Sequence, residues 1–410
     1  MVGGRVAASS PVEVLADRMR AARARTDEIF ALLEPGAIYS RPVPERHRLI
    51  FYLGHLEAFD WNQVCRQSLG ITSFQPEFDQ LFEFGIDPPV GQAAQDQPSD
   101  WPSVEAVQAY NRRVRSTLDE VLAEASPQIL NVALEHRLMH AETLAYLIHH
   151  LPYDQKLGTP PALRRAQAPV ERKMIEIPAG CATLGQRRGE FGWDNEFEEL
   201  RIPVPAFAIS KHKVSNGDYL QFVESGGQAP HFWRRQGDGW LLRGMFGEEP
   251  LPWNAPVWVT HGQASAYAGW SAKKLPTEAQ FHRAAYGTPA GEERAYPWGD
   301  AAPDPGRGNF DFSHWDSTDV DSSPQGESAF GVSQLVGNGW EWTSTQFGPF
   351  PGFEPFSFYP GYSQNFFDEE HYVMKGASPR TAACFLRRSF RNWFRPNYPY
   401  VYAGFHLVED

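Results

Sequence analysis

Apolar residues recur at intervals of three and four along four stretches of the first 157 residues, roughly 11 to 34, 45 to 68, 103 to 125 and 127 to 150, with Pro and Gly between them. That spacing gathers the apolar side chains of each stretch on one helical face, so it predicts four helices of about 20 residues. Such helices bury their faces by packing as an antiparallel bundle. The pattern breaks over 158–171, "GTPPALRRAQAPVE", where three prolines interrupt any helix and the apolar residues have no period, which predicts a linker. From 172 to 410 the chain runs in short segments rich in Gly, Pro, Trp and Phe, and "HGQASAYAGWSAKK" and "TEAQFHRAAYG" are its best helical patterns. No internal repeat is visible. These residues predict a loop-rich α+β domain with aromatics filling its core.

Composition narrows the class. A chain of 410 residues exceeds one core and suits two domains, and 42% hydrophobic with 14% aromatic residues is enough to fill both, leaving disorder for the first ten or so residues and the linker. The net charge of −13 argues against a nucleic-acid surface, which carries a basic stripe. No apolar run approaches the length of a membrane span, and Met1 to Pro11 lacks the apolar stretch of a secretory signal. Cys65, Cys181 and Cys384 are far apart and form no CxxC, which suits a reducing cytoplasm and provides no thiolate zinc site. Oligomeric state is left open.

The densest candidate chemistry lies in "EHRLMHAETLAYLIHHLP", residues 135–152. His136 and His140 stand one helical turn apart and project in the same direction, so two imidazoles could share one metal. A third donor must come from another helix, and His55 in "FYLGHLEAFDWN" is the candidate, because an unpaired ring among apolar neighbours is costly. On the residues alone a shared metal and polar rings that happen to lie on one face stand side by side. Three neutral imidazoles leave positions open on a redox metal for substrate and dioxygen, while zinc also accepts three histidines and water. Glu57 and Glu142 are expected as helix-surface charges, with a supporting or basic role as the alternative. His149 and His150, near a helix end, are expected to be solvated or to face the helix dipole.

The segments "MIEIPAG", "DNEFEELRIPVPAFAISKHKVSNGDYLQFV", "PVWVTHGQASAYAGWSAKKLPTEAQFHRAAYG", "YPWGD", "LVGNGWEWT" and "FRNWFRP" through "GFHLV" follow the order of the formylglycine-generating-enzyme fold, a C-type-lectin variant. The resemblance covers residues 172–410. Residues 1–157 resemble a DinB-like four-helix bundle, including the HxxxH pair and the earlier lone histidine. The implied fold is a mixed one, a DinB-like bundle followed by a C-type-lectin-like α+β domain. Together the halves resemble the iron-dependent sulfoxide synthases of ergothioneine biosynthesis, to which selenoneine synthases are related.

That resemblance implies that His55, His136 and His140 bind Fe(II), in a tunnel between the two domains. There a thiolate and hercynine, an N-trimethylated histidine, meet with dioxygen as co-substrate. It implies a catalytic tyrosine in "FYPGYSQNFFD", with Tyr359 at the matching position and Tyr362 beside it. In "SFRNWFRP" it places Asn392 and Trp393 next to the trimethylammonium group, and Trp393 would supply the aromatic face that such a cation needs. Trp340 and Trp342 in "GNGWEWT" are expected as core.

The chain departs from the mycobacterial-type synthases at three points. Met139 stands where they have a glutamine that bonds the substrate imidazole, and Phe394 where they have an aspartate that contacts the sulfur substrate. No arginine pair appears in "FDQLFEFGIDPPVGQAAQDQPSD" to hold the carboxylates of γ-glutamylcysteine. Free cysteine, with Arg387, Arg388, Arg391 or Arg395 as carboxylate partner, and a selenosugar are the donors this leaves. Three other readings stay open. Formylglycine generation uses a cysteine pair, of which this chain has only Cys384 in the C-terminal half. The others are a metal-dependent thiol transferase or hydrolase of the DinB type and a non-catalytic lectin-like binding protein.

Overall fold

A computed structural model of the chain describes residues 11–83, 94–160, 162, 164 and 168–410. The first ten residues, part of the stretch searched for an arginine pair, and much of the expected linker lie outside the described residues. The chain divides into two compact units, residues 1–158 and 159–410. No helix among the described residues is long and apolar enough to cross a membrane.

The first unit contains α1 (Pro11–Phe30), α2 (Leu49–Asp60), α3 (Pro76–Leu81), α4 (Val104–Val121) and α5 (Pro127–His150). Leu15, Met19, Ala22, Thr26 and Ile29 are the buried stripe of α1, and Val107, Tyr110, Val114 and Leu118 that of α4. Both stripes repeat every three or four residues, so each helix is anchored along one face. Ser103 caps α4 by accepting from the Ala106 amide at 3.3 Å, and Pro127 starts α5 where its missing N–H costs nothing. Every residue of α2 except Leu53 is buried, which makes it the central helix. It continues into a π-helical stretch, Trp61–Ser68, of the kind that often marks a functional region.

The second unit opens with β1 (Met174–Ile177), β2 (Gly180–Leu184), β3 (Leu200–Val204) and β4 (Phe207–Ser210), followed by α6 (Asn216–Glu224). Next come β5 (Trp233–Gln236), β6 (Gly239–Arg243), β7 (Glu248–Pro250), α7 (His261–Trp270) and α8 (Glu278–Tyr286). β8 (Gly339–Gln346), β9 (Tyr372–Ala377), β10 (Asn392–Phe394), β11 (Ala403–Gly404) and β12 (Val408–Glu409) complete it. Among the described residues the strands form sheets ordered β1-β4-β12, β10-β9-β8-β11, β2-β3 and β5-β6-β7. Ile177, Ile209, Phe281, Val332 and Leu335 pack into one core, and α8 supplies part of it. Trp340 and Trp342 of β8 are buried. β10 pairs antiparallel with β9, with Trp393 opposite Val373.

Candidate metal centre and aromatic turn

α2 and α5 bring three histidines together. One ring nitrogen each of His55, His136 and His140 lies within 4.8 Å of the others, and His55 and His136 are buried. His55 Nε2 and His140 Nε2 face each other at 3.2 Å. Two nitrogens at right angles on a metal about 2.1–2.2 Å away would stand about 3.0–3.1 Å apart, so this spacing suits two ligands of one ion. His55 Nδ1 donates to the Phe82 carbonyl at 2.7 Å, which fixes the tautomer and leaves the Nε2 lone pair turned towards His140. Phe59 stacks on His136 with ring centres 3.4 Å apart and sets that ring's plane.

Burial is the main force on the titration of the three rings. It pulls His55 down to about 4 and, together with repulsion from the neighbouring rings, drives His136 and His140 well below the usual imidazole value. Neutral imidazole is the form that ligates. The Nδ1 atoms of His136 and His140 are buried without a hydrogen-bond partner among the described residues, a state that is costly for a purely structural cluster. Donor set, spacing and protonation all suit a metal with open positions.

A buried ionic network surrounds the cluster. Arg137, next to His136, donates to Glu57 Oε2 at 2.6 Å, to Asp60 Oδ2 at 2.7 Å and to the Leu56 carbonyl at 3.2 Å. Arg115 reaches Glu57 Oε1 at 2.8 Å and Asp27 through two bonds of 2.7 Å. Glu57 is therefore not the surface charge expected of it. Burial raises its carboxyl, but Arg137 and Arg115 outweigh burial and hold it below the ordinary value. Glu142 is half-buried. His149 is fully buried and so is not solvated, whereas half-buried His150 donates Nδ1 to the Tyr146 carbonyl at 2.7 Å in the last turn of α5, which is the dipole-facing alternative.

In the second unit the structure brings Tyr359, Tyr362 and Trp393 together. Tyr362 stacks on buried Trp193 at 3.8 Å between ring centres, meets Trp393 edge-on at 5.4 Å, and lies 5.8 Å from Tyr359. Phe347 covers one face of Trp393 at 4.1 Å with rings nearly parallel. Burial, reinforced by the charge of Asp194, pushes the Tyr359 phenol up to about 12, so it keeps its proton. The Asn392 side chain accepts from the Trp393 amide at 2.9 Å.

Residues 160–410 match the sulfatase-modifying factor enzyme 1-like domain family, and residues 18–154 match the DinB superfamily. The hercynine oxygenase of Mycolicibacterium thermoresistibile is 32% identical over 326 residues, which are 72% of this chain and 72% of that protein. That of Mycobacterium tuberculosis is 31% identical over 332 residues, 74% of this chain and 77% of its own. Ergothioneine biosynthesis protein 1 of Neurospora crassa is 27% identical over 499 residues, spanning 92% of this chain and 56% of that one. The chain belongs to the ergothioneine-type sulfoxide synthase family. It is an enzyme of the oxidoreductase class.

The remaining residues singled out in this synthase-family chain are placed as follows. Phe394 follows Trp393 along a strand, so its side chain leaves the opposite face, where it stacks on Tyr398 at 5.0 Å. Met139 is half-buried on α5 between the two histidines. Arg391 is buried, bonds Glu278 at 3.1 Å and the Gly348 carbonyl at 2.9 Å, and lies over Phe350 at 4.2 Å. Arg387 bonds Glu196 at 2.8 Å, and Arg388 bonds Glu293 at 3.0 Å. A guanidinium already matched to a carboxylate inside the domain is poorly placed to hold a ligand's. Arg395 differs, because its partners, Glu370 at 3.0 Å and Asp368 at 4.0 Å, are 61% and 30% exposed.

Sequence reasoning missed Gly54, Phe82 and Asp194. A Cβ on Gly54 would lie 2.6 Å from the Phe82 ring, so the glycine lets Phe82 approach α2 and bring its carbonyl to His55. The signal was available, since a glycine inside an apolar helix usually marks a close approach.

Proposed function

We propose that this chain is a nonheme iron(II)- and dioxygen-dependent synthase that joins a thiol to the imidazole of hercynine and leaves the sulfur as a sulfoxide. The observation that carries the reading is the convergence of His55, His136 and His140 from two helices, in a chain whose relatives are named hercynine oxygenases. In the balanced reaction an imidazole C–H and the S–H bond break, C–S and S–O bonds form, and the two hydrogens leave with the second oxygen atom as water. Dioxygen takes up four electrons. Ferrous iron, held by His55, His136 and His140, would supply the open positions and the electrons that dioxygen chemistry needs.

The protein groups do the rest. Tyr359 keeps a proton on its hydroxyl and offers it to the developing oxygen anion, with Tyr362 as its neighbour. Trp393 presents the ring face that attracts a trimethylammonium group, and Asn392 lies beside it. With Arg387 and Arg391 engaged by Glu196 and Glu278, Arg395 is the anchor for a donor carrying one carboxylate. Met139 adds no charge beside the histidines, and one such anchor suits a small thiol such as cysteine, or a selenosugar that needs none, rather than γ-glutamylcysteine with its two carboxylates. Ferrous chemistry and three free cysteines suit a reducing cytoplasm.

The test is anaerobic Fe(II) titration of the wild-type chain and of His136→Ala, followed by mass spectrometry of the product formed from hercynine, a thiol and air. One iron per chain in the wild type alone, with a C–S-linked sulfoxide, is the expected result. Zinc-supported thiol transfer without oxygen would replace this reading with the DinB-type transferase.

A further inference from the structure

Ser363 ends the turn that carries Tyr359 and Tyr362, and its side chain is fully buried. Its hydroxyl donates to Asp194 Oδ1 and accepts from Asn195 Nδ2 at 2.9 Å. Asp194, Asn195 and Glu196 form a single 3-10 turn and are all 1% exposed or less. From the other end of this turn, Glu196 accepts from Arg387 Nε at 2.8 Å and from Ser389 Oγ at 2.7 Å, while the Asn195 carbonyl lies 3.5 Å from Arg391 Nη1. One buried turn is thus bonded both to the tyrosine turn and to the segment that runs into β10 and Trp393. Trp193, which precedes it, carries Tyr362 on its ring.

A buried polar network adds little net stability over an apolar one, but its hydrogen bonds select one arrangement. We infer that Asp194 is a positioning residue for the reaction: through Ser363 it fixes where the Tyr359 hydroxyl stands relative to the Trp393 ring, and so governs whether the thiol is joined to the imidazole or only oxidised. The inference rests on the role proposed above for Tyr359. It also explains why Arg387 and Arg391 face inward, since both brace the same turn.

The charges bear on how the device is read out. Burial pushes the Asp194 carboxyl up to about 6, with Ser363 and the amides of Asn195 and Phe356 acting against it and the charge of Glu196 acting with it. Tyr359 also feels this carboxylate, and Arg387 stands behind Glu196. Protonation of Asp194 replaces an ionic acceptor for Ser363 with a neutral one and loosens the turn.

The experiment measures, in the iron-loaded full chain, the ratio of C–S product to oxidised thiol between about pH 5.5 and 8. In the wild type the ratio should fall as pH drops through about 6. Asp194→Asn should lower it about fivefold at neutral pH and abolish that step. Ser363→Ala, which removes a single hydroxyl, should lower it similarly, Ser363→Thr should restore it, and Tyr359→Phe with Ser363→Ala should be no worse than Tyr359→Phe alone. If Tyr359→Phe diverts turnover while both Asp194→Asn and Ser363→Ala stay within twofold of wild type at every pH, the positioning role is overturned and that of Tyr359 stands. If Tyr359→Phe leaves the ratio unchanged, the reading of Tyr359 fails, and the inference resting on it falls with it.

Discussion

Arg137 Nη2 and Glu57 Oε2 lie 2.6 Å apart with both side chains buried, one residue after His136 on α5 and two after His55 on α2. The ion pair, extended to Asp60 at 2.7 Å, ties together the two helices that present the histidines. Removing Arg137 would leave buried Asp60 without its hydrogen-bonded cation and Glu57 with Arg115 alone.

Arg137→Met should therefore cost about 3–5 kcal/mol in urea denaturation and weaken iron binding, and adding Glu57→Gln should recover part of both losses. A loss in the single variant below about 1 kcal/mol would mean that the pair does not hold the helices.

Gly54→Ala separates helix propensity from the site. Alanine favours an isolated helix by about 0.5–1 kcal/mol, but here its methyl would meet Phe82 and push that residue's carbonyl off His55. Metal affinity should fall at least about tenfold, as for loss of a hydrogen bond that orients a ligand. Unchanged affinity by anaerobic titration would show that His55 does not depend on Phe82.

Tyr359→Phe removes a proton donor and little volume. Substrate binding should persist while turnover shifts from C–S bond formation to oxidation of the thiol alone, read by product analysis. Unchanged C–S bond formation would move the role to Tyr362 or remove it.

What the sequence revealed followed from the strength of each local pattern. α1 and α4 were legible because their stripes run over several turns, and α2 because its apolar run is long, whereas the six-residue α3 is too short to show a period, and strands as short as β11 and β12 show no alternation. Glu57 was misread because charges on helices usually face water. The all-round apolarity of α2 was the contrary signal, since a charge on a helix buried on every side must be paired. Arg387 and Arg391 looked available because a sequence displays a charge without its counter-ion, and Glu196 lies 191 residues from Arg387 in the chain.

His261 carries a pH dependence of stability. It stacks on Tyr372 at 3.7 Å and donates to the Thr343 carbonyl at 3.1 Å, and burial, which outweighs that bond, pulls it down to about 4. The unfolded ring titrates near 6.5, so the unfolded chain takes up this proton first. The contribution is present above about pH 6.5 and is lost as pH falls towards 4, on the order of 2–3 kcal/mol. Thermal melts at pH 7 and 4.5 should show a smaller acid-induced drop in Tm for His261→Gln than for the wild type. An equal drop would assign the acid sensitivity to other groups.

The central claim is that three histidines hold an iron at which dioxygen joins a thiol to an imidazole. Oxygen uptake by the Fe(II)-loaded chain, measured with hercynine alone, thiol alone and both together, tests it most directly. The account predicts rapid uptake only with both, at one dioxygen per C–S product, and none in His140→Ala. Uptake that ignores hercynine, or product formation with zinc in the absence of oxygen, would contradict it.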